Sequence, residues 1–100
     1  MTSQRKTLAA QYVSRVINAA KLGIRVQESH TRFTGREGVW AANRGDGAVS
    51  VDVASFDRDD AMETAGALVR VLGPLFALEM TYEPPDREPQ LHYVWFTVRR

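Results

Sequence analysis

Between Leu8 and Lys21, apolar residues recur every three or four positions: Leu8, Ala9, Tyr12, Val13, Val16, Ile17 and Ala20. Gln11, Ser14, Arg15, Asn18 and Lys21 fall between them. This period predicts an amphipathic helix from about Ser3 to Leu22, with Gly23 as its C-terminal cap. A second helix is better marked, within Ser55 to Pro74. Asp57 is placed to cap its free amides, Asp59 and Asp60 suit the positive end of its dipole, and Gly73 and Pro74 close it. Ala61, Ala65, Leu68 and Leu72 form its apolar stripe. Gly66 costs about 1 kcal/mol relative to Ala in a helix interior, which suggests either close packing there or a glycine tolerated without purpose.

The rest of the pattern has a period of two. Ile24 and Val26 open an extended stretch running to Phe33, with a bulge or break near Glu28 to His30 because Phe33 has the opposite parity. A turn over Gly35 to Gly38 leads into Val39 to Asn43, and a second turn over Gly45 to Gly47 leads into Val49, Val51 and Val53, which alternate with Ser50 and Asp52 as a half-buried strand. After Pro74, Phe76, Leu78, Met80 and Tyr82 alternate with Ala77, Glu79, Thr81 and Glu83. Residues 83–90 hold three of the four prolines and read as an exposed, extended loop. Residues 91–100 are apolar on both faces: Leu91, Tyr93 and Trp95 on one, Val94, Phe96 and Val98 on the other.

The element order αβββαββ predicts one α+β domain over residues 1–100, with two layers: a five-stranded antiparallel sheet and two helices on one face. With the last strand beside the first, the strand order is 3-2-1-5-4. Two helices cover one face only. If they take Val94, Phe96 and Val98, then Tyr93 and Trp95, with Trp40, remain on the open side as an aromatic patch. If they take the Tyr93 and Trp95 side, the loops must cover the rest.

Composition narrows the chemistry. There is no cysteine, which excludes disulfides, thiol nucleophiles and thiolate metal sites and suggests a reducing compartment. With no signal-like segment and no apolar run of membrane-spanning length, the expected location is cytoplasmic. The net charge of +1 divides into +5 over residues 1–50 and −4 over residues 51–100, so the first half could offer a basic face.

Candidate catalytic and metal motifs find simpler explanations. His30 and His92 lack metal-ligand spacing. Ser29 and His30, as neighbours on a strand, point to opposite faces and cannot pair locally as nucleophile and base. Asp57, Asp59, Asp60 and Glu63 already serve the helix start. Arg44-Gly45-Asp46 is a turn, and the GREG segment at residues 35–38 is too short for a phosphate loop and precedes a strand. No cofactor and no metal is expected.

In element order alone, αβββα over residues 4–72 resembles a double-stranded RNA-binding domain. That family opens its second helix with phosphate-gripping lysines, whereas Arg58, Asp59 and Asp60 stand here, with Asp57 before them. The full order resembles the secretion-chaperone type of fold, without its final helix. That resemblance implies a homodimer holding extended segments of other proteins.

The sequence therefore leads to the expectation of a small non-enzymatic binding or regulatory accessory protein. It would contact another protein through Trp40, Tyr93 and Trp95, with Arg32 and Arg44 as a polar rim, and would form a homodimer. The alternative is nucleic-acid binding by stacking on the same aromatics, helped by Arg15, Lys21 and Arg25. An enzyme working without cysteine or metal has the least support.

Overall fold

The computed structural model describes residues 8–28, 35–87 and 89–100. The elements are α1 (Ala10–Ala19), β1 (Val26–Glu28), β2 (Gly38–Asn43), β3 (Val49–Ser55), α2 (Arg58–Leu72), β4 (Ala77–Glu83) and β5 (His92–Arg99). The order αβββαββ and the α+β class are as expected. The sheet runs β1-β2-β3-β5-β4. Three of the expected neighbour pairings are present, β1 with β2, β2 with β3, and β4 with β5. The fourth differs, because β5 pairs with β3 and not with β1.

Burial accounts for that difference. An interior strand has a neighbour on both edges, and β1, with a single buried residue, Val26, has little apolar surface to place there. In contrast, β3 sets Val49, Val51 and Val53 directly against Val98, Phe96 and Val94 of β5, joining the two most apolar strand faces in the chain. A second correction concerns direction: β1 runs parallel to β2, with Val26 beside Val39 and Glu28 beside Ala41, so the sheet is mixed. A tight turn would have made this pair antiparallel. Nine residues separate the strands, more than the two-residue connection of a tight hairpin.

Both helices lie on the face made by Val94, Phe96 and Val98. Leu8, Val13 and Ile17 from the α1 segment join Ala61, Ala65, Leu68 and Leu72 of α2 in one core with Val39, Ala41, Val49, Val51, Val53 and β5. The apolar stripe expected for α2 is thus its buried side. Its cap is also as expected, since Asp57 accepts from the amides of Asp59 (2.8 Å) and Asp60 (3.3 Å). Gly73, however, keeps right-handed helical geometry and donates its amide to Val69 (2.8 Å), continuing the last turn before Pro74 stops it. Gly66 has almost nothing near the position a Cβ would occupy, so close packing does not explain it.

The start of α1 is set from a distance. The expected start near Ser3 lies outside the described residues, and Leu8 and Ala9 precede the helix. Ala9 has no capping group. Instead Asn43, at the end of β2, accepts from the Ala10 amide (2.7 Å), and Leu8 donates to the carbonyl of Gly47 (3.3 Å). Asn18 of α1 likewise accepts from the amide of Val26 (3.4 Å). Among the described residues no helix is long and apolar enough to cross a membrane.

Candidate binding face

The helix-free side of the sheet is built in rows across the strands. One row is Gln27, Trp40, Asp52, Trp95 and Thr81, and the next is Gly38, Ala54, Tyr93 and Glu83. At about 4.8 Å per strand, Trp40 and Trp95 are two steps apart with Asp52 between them. Register thus brings Trp40, Tyr93 and Trp95 to one face, opposite both helices. Arg32 lies outside the described residues.

The face is only partly open. Trp40 is 5% exposed, and Ala42, Ser50, Asp52 and Ala54 are buried beside it. Trp40 lays its six-membered ring over Gly38, where a Cβ would meet ring carbons at 2.9 to 3.3 Å. With φ at +147°, Gly38 both turns the chain into β2 and leaves room for the indole. Tyr93, Trp95 and Thr97 of β5 are half-buried, and Glu79, Thr81 and Glu83 of β4 are exposed. The exposed part of this face therefore lies on the β5 and β4 flank, and Trp40 is buried two strands away on β2.

Two polar groups organise the face. Asp52, 2% exposed, accepts a hydrogen bond from the Ser50 hydroxyl (2.9 Å). A buried carboxylate is retained only when such partners hold it. Strict alternation predicted Ser50 and Asp52 to face solvent, yet all seven residues of β3 are buried. No signal in the sequence separates the two outcomes, because burial of that side depends on β3 being central. At the far end, Arg44 donates to the Thr97 hydroxyl (2.9 Å) and approaches Asp46 (3.9 Å), so it is held against the sheet rather than extended as a rim. Asp46 also accepts from Arg99 (3.0 Å). That bond, with the Ala48 amide, holds its carboxyl below the usual carboxylate range.

At the opposite end, Tyr93 forms one wall of a groove of about 480 Å³ with Phe56, Pro84, Pro85, Pro89 and Leu91, edged by Glu83 and Asp86. Phe56, 52% exposed, was not singled out from sequence. An aromatic just before a helix cap is a visible signal, although its usual reading is a hydrophobic staple. Glu37 fixes this corner by accepting from the Phe56 amide (2.9 Å) and the Ser55 hydroxyl (3.2 Å). His92 is buried with Nδ1 2.8 Å from the Tyr82 hydroxyl, the two rings stacked at 6°. Among the described residues no group of three or more His, Asp or Glu side chains could hold a metal.

No family model, curated protein or solved structure matches the chain.

Proposed function

We propose that this chain is a small non-enzymatic accessory protein that binds another protein through the Tyr93 and Trp95 flank of its sheet, self-associates as a homodimer, and works in a reducing compartment such as the cytoplasm. One observation supports this most directly. Both helices occupy the Val94, Phe96 and Val98 side, so Tyr93 and Trp95 stay partly exposed on the other. Large aromatics that a partner can finish burying carry a disproportionate share of binding energy. The groove beside Tyr93 extends that surface with Phe56 and three prolines.

Nucleic-acid binding is less favoured, because Arg15 projects from the helix layer and Arg44 is engaged with Thr97 and Asp46. Arg15, on the helix side, cannot grip the same strand as indoles on the other face.

Affinity capture with purified protein, compared between the parent and Trp95→Ala or Tyr93→Ala, tests the reading. Each substitution is expected to weaken a captured partner at least tenfold while circular dichroism stays native. Unchanged affinity in both folded variants would refute it. Salt-sensitive oligonucleotide binding that survives Trp95→Ala would point instead to a purely electrostatic nucleic-acid role.

A further inference from the structure

We propose that the self-association follows from β4, which pairs antiparallel with β4 of a second copy about a two-fold axis through Met80 and joins the two sheets into one of ten strands. This inference rests on the homodimer part of the proposed function and not on the aromatic flank.

Among the described residues, β4 is an edge strand that pairs only with β5. Every second residue of an edge strand turns its N–H and C=O outward, a ready template for another chain. β4 has seven residues and no proline. α2 packs over β3 and β5, leaving β4 beyond it. On that side, Leu78 and Tyr82 are half-buried and Met80 is 52% exposed. A second β4 would complete this strip.

The sequence of β4 accommodates a second copy of itself in one register. Directly opposed residues of an antiparallel pair share a face, so a two-fold axis normal to the sheet must pass through a residue paired with itself. Centring on Glu79 sets two carboxylates against each other. Centring on Thr81 sets Glu79 against the partner's Glu83. Centring on Leu78 or Tyr82 leaves most of the strand unpaired and draws Pro74 or Pro84 toward the ladder.

Centring on Met80 pairs all seven residues. Leu78 meets the partner's Tyr82, Glu79 meets the partner's Thr81, and Ala77 meets the partner's Glu83. Apolar side chains then lie together on the helix side, and no acid directly opposes another. Carboxylates still meet on the diagonals, so association is expected to strengthen with added salt. A seven-residue strand pair buries less than the ~800 Å² per partner of a standard interface, and the dimer is expected to be concentration-dependent.

Sedimentation over about 1 μM to 1 mM should show a reversible dimer. It is weakened at least tenfold by Met80→Lys, which sets two ammonium groups at the axis, and tightened by Glu79→Gln. With no native cysteine, Met80→Cys provides a single thiol. Opposed Cα atoms at about 4.5–5.5 Å lie within disulfide range, so oxidation should cross-link Met80→Cys faster than Glu79→Cys or Thr81→Cys. A monomer at every concentration would overturn both self-association and this interface. A dimer untouched by Met80→Lys, or faster cross-linking at position 79 or 81, would overturn the β4 register and leave self-association standing.

Discussion

β3 and β4 are both seven residues long, and both alternate apolar with polar side chains, VSVDVAS against ALEMTYE. Read singly they are the same kind of strand. In the fold, β3 is buried at every position, Ser50 and Asp52 included, while β4 leaves Met80 half in solvent. What separates them is position: β3 lies between β2 and β5, with the helices over one face and Trp40 and Trp95 beside Asp52 on the other, whereas β4 is an edge strand with a neighbour on one side only. Alternation states which residues share a face. Whether that face meets protein or water is decided by elements far away in the chain.

The sharpest test of the comparison lies within one cross-strand row, where Val51, Phe96 and Met80 are neighbours. Phe96→Ala, at a fully buried position, is expected to cost about 3–5 kcal/mol through lost burial and the cavity left behind. Met80→Ala, one strand over, should stay within about 0.5 kcal/mol in monomer unfolding. Urea denaturation of both variants measures the gap. Similar losses would mean that β4 is as well covered as β5.

The polar sides of the two strands should differ in the same sense. Asp52→Ala removes the acceptor of the buried Ser50 hydroxyl and is expected to destabilise by about 1–3 kcal/mol. Thr81→Ala, in the same row at the exposed edge, is expected to have little effect. If Asp52→Ala were also silent, Asp52 would be a passive occupant of the face rather than part of what holds it.

These contrasts show which features were legible in the sequence. α2 was, because its signals are local: Asp57 caps amides two and three residues away, and its stripe falls within its own turns. The start of α1 was not, since its cap is Asn43, 33 residues distant. The placing of β5 against β3 and the parallel course of β1 are likewise long-range choices. For the candidate face, parity put Tyr93 and Trp95 opposite Val94, Phe96 and Val98, and the helices settled which side is open. The burial of Trp40 over Gly38 and the engagement of Arg44 with Thr97 depend on side chains that the sequence alone does not bring together.

The smallest expected effect is at the β2–β3 turn, where Asp46 links its own loop to the end of β5 through Arg99. Its carboxyl pKa is depressed, chiefly by the hydrogen bond from Arg99 and next by that from the Ala48 amide. A depressed folded-state value means the unfolded chain binds the proton more readily. The contribution is therefore fully present above the ordinary Asp value of about 3.9 and is lost as pH falls through the lowered one. Because the pair is exposed, solvent and salt screen it, and the gain at neutral pH is small. Asp46→Asn should accordingly lower the melting temperature slightly near pH 7. That difference should shrink through the acid range below about pH 4 and on adding salt at neutral pH. A deficit that persisted unchanged at low pH would assign the role of Asp46 to turn geometry, through its bond to the Ala48 amide, rather than to charge.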